Sequence, residues 1–171
     1  HGRTFGAIAA AGQKKMLEGF EPHLKGFEHV DFNDLKKIEK KIDKYTAGIF
    51  IEPVQGEGGI TPAKKEYLIG LKDIAKKNDI LLFFDEVQCG VGRTGKFLAY
   101  EWVKSLEPNL VSIAKGIGGG FPLGALLLDK KVSKSMTSGS HGSTFGGNRR
   151  GMAVADVVLG HVLKEDLFDL V

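Results

Sequence analysis

Three short apolar runs in this chain each end on an ionisable residue. Ala47-Gly48-Ile49-Phe50-Ile51 precedes Glu52, Ile80-Leu81-Leu82-Phe83-Phe84 precedes Asp85, and Leu110-Val111-Ser112-Ile113-Ala114 precedes Lys115. The second run is continuous rather than alternating, which suits a parallel strand whose sheet is covered on both faces. Between the first two runs, Pro62 to Asn78 has helical spacing. Tyr67, Leu68, Leu71 and Ile74 mark one face, while Lys64, Lys65, Lys72, Lys76 and Lys77 mark the other. Ala125-Leu126-Leu127-Leu128 reads as a further strand and Gly151 to Leu163 as a further helix. Strands and helices in alternation predict an α/β fold with a mostly parallel sheet and helices on both faces. No internal repeat or domain boundary is visible, so residues 1–171 read as part of one large domain.

The ionisable residues then become informative. In open α/β sheets, ligands bind beyond the carboxyl ends of the strands. Glu52, Asp85 and Lys115 recur about thirty residues apart, the length of one βαβ unit, and are candidates to line one crevice. A lysine delivered by an apolar strand into a Gly-rich turn can serve as a nucleophilic amine; the plain alternative is a lysine snorkelling to solvent. A carboxylate such as Asp85 at the end of an apolar strand is costly to bury unless it is paired. Its plain alternative is a cap on the following turn. Glu86 has the weaker claim to the crevice, because neighbouring strand residues face opposite ways. The loop from Gly139 to Asn148 offers hydroxyls and flexible backbone amides suited to a phosphate, without the Walker or dinucleotide spacing. Arg3 could hold a carboxylate through its planar fork, against the reading of a surface arginine near a frayed end.

Composition excludes several classes. Glycine numbers 24 and clusters at Gly56 to Gly59, Gly90 to Gly95, Gly116 to Gly120 and Gly139 to Gly147, so it serves turns rather than a linker. A formal charge of +3, with lysines spread along helix faces, points to solvated surfaces and to no nucleic-acid partner. Cys89 is the single cysteine, which excludes an internal disulfide framework and fits a reducing, cytoplasmic setting. No apolar run approaches a membrane span, and the first residues lack the apolar stretch of a secretory signal. The five histidines show no metal-ligand spacing, and no metal site is expected.

Several of these segments together resemble the class III aminotransferases. They are His1-Gly2-Arg3-Thr4, Glu52-Pro53-Val54-Gln55-Gly56-Glu57-Gly58-Gly59, Phe84-Asp85-Glu86-Val87-Gln88-Cys89-Gly90-Val91-Gly92-Arg93-Thr94-Gly95 and Ala114-Lys115-Gly116. Gly120-Phe121-Pro122-Leu123-Gly124 and the Gly142 to Asn148 loop continue the match, in the family's order, across essentially the whole chain. Within the class, the likeness is greatest to bacterial enzymes of the acetylornithine type, with ornithine and succinyl-diaminopimelate aminotransferases as cousins.

The resemblance implies the three-layer large domain of fold type I and the cofactor pyridoxal 5'-phosphate. It implies that Lys115 is the cofactor lysine and the acid and base of the reaction. Asp85 would pair with the ring nitrogen, Val87 would pack on the ring, and Gln88 would lie near the phenolic oxygen. Ser143 and Thr144 would reach the phosphate in the neighbouring subunit of a homodimer. Arg3 would bind the substrate carboxylate. Glu52 and Glu57 would lie near the substrate, Glu57 matching a glutamate that pairs with an arginine in relatives. The substrates implied are an amino acid and a 2-oxo acid. Residues 1–171 would then be a central segment of the large domain, with its N-terminal part and the small C-terminal domain lying outside; the alternative is a non-catalytic fragment of such an enzyme. Arg149-Arg150-Gly151 departs from the Pro-Leu-Ala usual after Gly-Gly-Asn.

Overall fold

The computed structural model describes the backbone of residues 1–171 and every side chain except that of Glu165. The chain packs as two compact units, 1–46 and 47–171.

The first unit contains α1 (Phe5–Ala11), α2 (Lys14–Leu17) and α3 (Leu35–Lys41). Thr4 caps α1: its hydroxyl accepts the Ala7 N–H at 3.3 Å. Gly12 ends the helix in the left-handed region, which glycine adopts without a Cβ clash. Arg3 precedes this cap and is exposed. Asp34 caps α3 in the same manner, accepting the Lys37 N–H at 3.1 Å.

The second unit runs β1 (Gly48–Ile51), β2 (Val54–Gln55), β3 (Thr61–Pro62), α4 (Lys65–Lys77), β4 (Leu81–Asp85), β5 (Leu110–Ala114), β6 (Gly124–Leu128), α5 (Lys130–Ser133), α6 (Arg149–Val162) and α7 (Glu165–Phe168). Short 3-10 turns occupy Ala99–Trp102 and Lys115–Gly118. The main sheet has the order β1-β4-β5-β6. Its first three strands are parallel, and β6 is antiparallel to β5. The mostly parallel α/β sheet anticipated from the three apolar runs is therefore present, with an antiparallel edge. β2 and β3 form a separate antiparallel hairpin.

The core of this unit lies where α4 packs on β1 and β4. Tyr67, Leu68, Leu71, Ile74 and Ala75 are buried on the face of α4 that the sequence spacing marks. Leu82 and Phe84 are buried in β4, and Val111 and Ile113 in β5. Fully burying a side chain such as Leu71, Leu82 or Phe84 contributes about 1.5–3 kcal/mol. The alternate β4 residues Leu81 and Phe83 are half-buried, and Phe83 stacks on Phe50 with ring centroids 4.2 Å apart. The helix expected from Pro62 starts only at Lys65. Thr61 and Pro62 instead pair with Gln55 and Val54, and Lys64 makes no side-chain cap that could have marked the boundary.

Candidate active site

Parallel pairing in register brings the three strand ends to one edge of the sheet. Ile51 lies opposite Phe84, and Asp85 lies opposite Ser112. Glu52, Asp85 and Lys115 thus leave the same edge on consecutive strands.

Asp85 is buried, at 4% exposure. Its Oδ1 accepts the Val87 N–H at 3.1 Å and the Ser112 hydroxyl at 3.2 Å. The carboxylate therefore both closes the turn after β4 and is tied to the neighbouring strand. Ser112 escaped the sequence reading because only the strand register sets it opposite Asp85.

Lys115 follows β5 directly, with a backbone φ of 48°. A side chain in this left-handed region costs about 1–2 kcal/mol. Val91, a β-branched residue for which such a conformation is a clear outlier, has φ 55°. Both residues line one cavity of about 250 Å³, together with Val87, Gln88, Gly90, Arg93 and Gly116. Strained backbone collects at functional sites, where the surroundings hold it. Arg93 is a second cation in this wall that the sequence reading named only as part of a motif.

Glu52 is half-buried, and its Oε2 accepts the Gly56 N–H at 3.1 Å. Burial raises its carboxyl above the ordinary value, opposed by the Gly56 N–H and reinforced by the Asp85 charge. Glu57 sits on the β2–β3 turn. Ser143 and Thr144 are exposed on the loop before α6 and are not part of the cavity wall. Asn148 caps α6, its Oδ1 accepting the Gly151 N–H at 2.8 Å.

Glu86, directly after β4, is fully buried. Its carboxylate accepts the Ala99 N–H at 2.6 Å and the Tyr100 N–H at 2.8 Å. This closes the 86–99 loop, which carries most of the cavity wall. The Trp102 Nε1–H braces the same loop through the Thr94 carbonyl at 2.7 Å. Burial pushes the Glu86 carboxyl up from 4.5 to about 7 against the pull of its two N–H donors. Burial, with Glu86 nearby, also pushes the Cys89 thiol up to about 12, so this cysteine is a packed residue rather than a nucleophile.

A carboxyl that holds its proton more tightly when folded adds stability at low pH. That contribution is complete below about pH 4.5 and is lost as the pH rises through about 7. We expect the wild type to lose about 3 kcal/mol of stability across this window and Glu86→Gln, which does not titrate, to show no such pH-dependent loss. Urea unfolding on either side of the window measures the difference, and parallel pH slopes would refute it.

The sequence profile described as Aminotransferase class-III matches residues 1–171. The chain belongs to the class III aminotransferase family. It is 51% identical over 169 residues to the acetylornithine aminotransferase of Mesorhizobium japonicum, covering 99% of this chain and 42% of that protein. It is 46% identical over 183 residues to the acetylornithine aminotransferase of Aquifex aeolicus, covering 99% of this chain and 48% of that protein. The ornithine aminotransferase of Toxoplasma gondii superposes with a TM-score of 0.91 at 34% identity, over 98% of this chain and 40% of its own. A second structure of that parasite enzyme carries partial occupancy of PLP at its active site. The class III chain therefore spans less than half the length of these relatives. Its mostly parallel sheet with helices is a part of the fold-type I architecture of such aminotransferases.

Proposed function

We propose that this class III chain is the cofactor-lysine segment of an aminotransferase that moves the amino group of N-acetylornithine to 2-oxoglutarate, a step of arginine biosynthesis. One observation carries the reading: Lys115, strained at the end of a parallel strand, shares a cavity with Val87 and Gln88, one strand away from the buried Asp85.

This donor set fits pyridoxal 5'-phosphate: an amine for its carbonyl carbon, a carboxylate for its ring nitrogen and the Val87 side chain for its ring. When bound, the cofactor supplies an electron sink for the carbon bearing the amino group. Lys115 Nζ would hold the cofactor in the resting protein and then carry the proton off and onto the reacting carbon. Asp85 would keep a positive charge on the ring nitrogen, its own orientation set by Ser112 and Val87. Val87 would pack on the ring and Gln88 would lie near the phenolic oxygen. Arg3 would bind the substrate carboxylate, with Glu52 and Glu57 near the amino donor. Ser143 and Thr144 would serve the phosphate of a neighbouring subunit in a homodimer, which matches their exposure. We place the enzyme in the cytoplasm; no helix among the described residues is long and apolar enough to cross a membrane.

Ornithine is the second candidate donor, favoured by the superposition on the T. gondii ornithine enzyme. Supplying the intact protein with 2-oxoglutarate and, in turn, N-acetylornithine, ornithine and N-succinyl-diaminopimelate separates the donors. Glutamate is expected fastest with N-acetylornithine. Faster turnover of ornithine would move the assignment to that class, and no glutamate from any donor would overturn transamination.

A further inference from the structure

The β2–β3 hairpin presses a glycine against a residue of the cavity wall. A Cβ built on Gly56 would lie 1.9 Å from Gln88 Oε1, 2.6 Å from its Cδ and 3.2 Å from its Cβ. Gly56 is not among the residues with positive φ, so no left-handed backbone demands glycine here. What requires glycine here is space.

Nor can Gly56 retreat from the contact. Its N–H is held by Glu52 Oε2 at 3.1 Å. Its carbonyl accepts the Gly59 N–H at 3.3 Å and the Ile60 N–H at 3.2 Å. With both backbone groups pinned, a side chain at this position must displace the Gln88 amide, which is the flexible end of its side chain.

We propose that Gly56 is a positioning residue: the pinned hairpin sets the rotamer of Gln88 and thereby the shape of the cavity wall that receives the cofactor's ring oxygen. Its consequence for the cofactor rests on the function proposed above, whereas its steric core does not. Glu52 enters as the anchor of the hairpin as well as a neighbour of the substrate.

The test uses Gly56→Ala, Gln88→Ala and the double variant of the intact protein. In a crystal structure of Gly56→Ala without cofactor, the Gln88 amide is expected to leave its wild-type rotamer; an unmoved amide overturns the proposal. In titrations with pyridoxal phosphate followed by absorbance, Gly56→Ala is expected to weaken binding about tenfold, the worth of one hydrogen bond, and to shift the bound cofactor's band. In the Gln88→Ala background, where only the 3.2 Å Cβ contact remains, the same change is expected to alter affinity by about twofold or less. An equal tenfold loss in both backgrounds overturns the coupling. If Gly56→Ala fails to fold, rescue of folding by Gln88→Ala supports the steric link and failure of rescue overturns it. A wild-type protein that binds no pyridoxal phosphate would refute the proposed function, while the rotamer in the crystal would still decide the role of Gly56.

Discussion

Lys115→Ala is expected to lower the transamination rate of the intact protein by on the order of 10⁴-fold, the upper range for removing a positioned acid and base. The fold should survive, because the side chain lines a cavity and packs into no core. Alanine inherits the same φ of 48°, so the backbone strain at this position is unchanged and the comparison isolates the amine. Two measurements check the expectation: the rate of glutamate formation, and the absorbance band of cofactor joined covalently to the protein. Both should vanish together while the unfolding midpoint stays put. A variant that keeps the covalent band would move the cofactor lysine elsewhere in the chain.

Asp85→Asn is expected to cost on the order of 10²–10³-fold in rate, the effect of deleting one preorganised electrostatic group. The two readings of Asp85 separate cleanly here. As a turn cap, it needs an oxygen that accepts the Val87 N–H and the Ser112 hydroxyl, and asparagine retains that oxygen. As partner of a protonated ring nitrogen, it needs the charge, which asparagine lacks. Stability should therefore stay within about 1 kcal/mol of wild type while the rate collapses. Asp85→Ala removes the acceptor as well and should lose stability and rate together. Wild-type turnover in Asp85→Asn would reduce Asp85 to its capping role.

Much of the architecture was legible because it rests on local patterns. Each apolar run is long enough for one strand, and each is followed by an ionisable residue at the strand's carboxyl end. The buried face of α4 carries the residues that the 3.6-residue period marks. The position of Lys115 between β5 and a glycine follows from the order of residues alone. Boundaries were less legible where no capping side chain marks them, as at Lys64, and where Pro62 serves a short hairpin instead of opening the helix.

The sequence by itself determined the strand–helix alternation, the ionisable residue at each strand end and the family to which the co-ordered motifs belong. Only the tertiary structure decided which distant groups meet. Strand register set Ser112 against Asp85, twenty-seven positions away. Loop closure carried the Ala99 and Tyr100 N–H groups to the Glu86 carboxylate, thirteen and fourteen positions away. The hairpin brought Gly56 onto the Gln88 amide, a contact that no periodicity encodes. The physical reason is common to all three. Local patterns report which face of an element is apolar, whereas the partner across a strand, a loop or a hairpin is selected by the packing of the whole sheet edge.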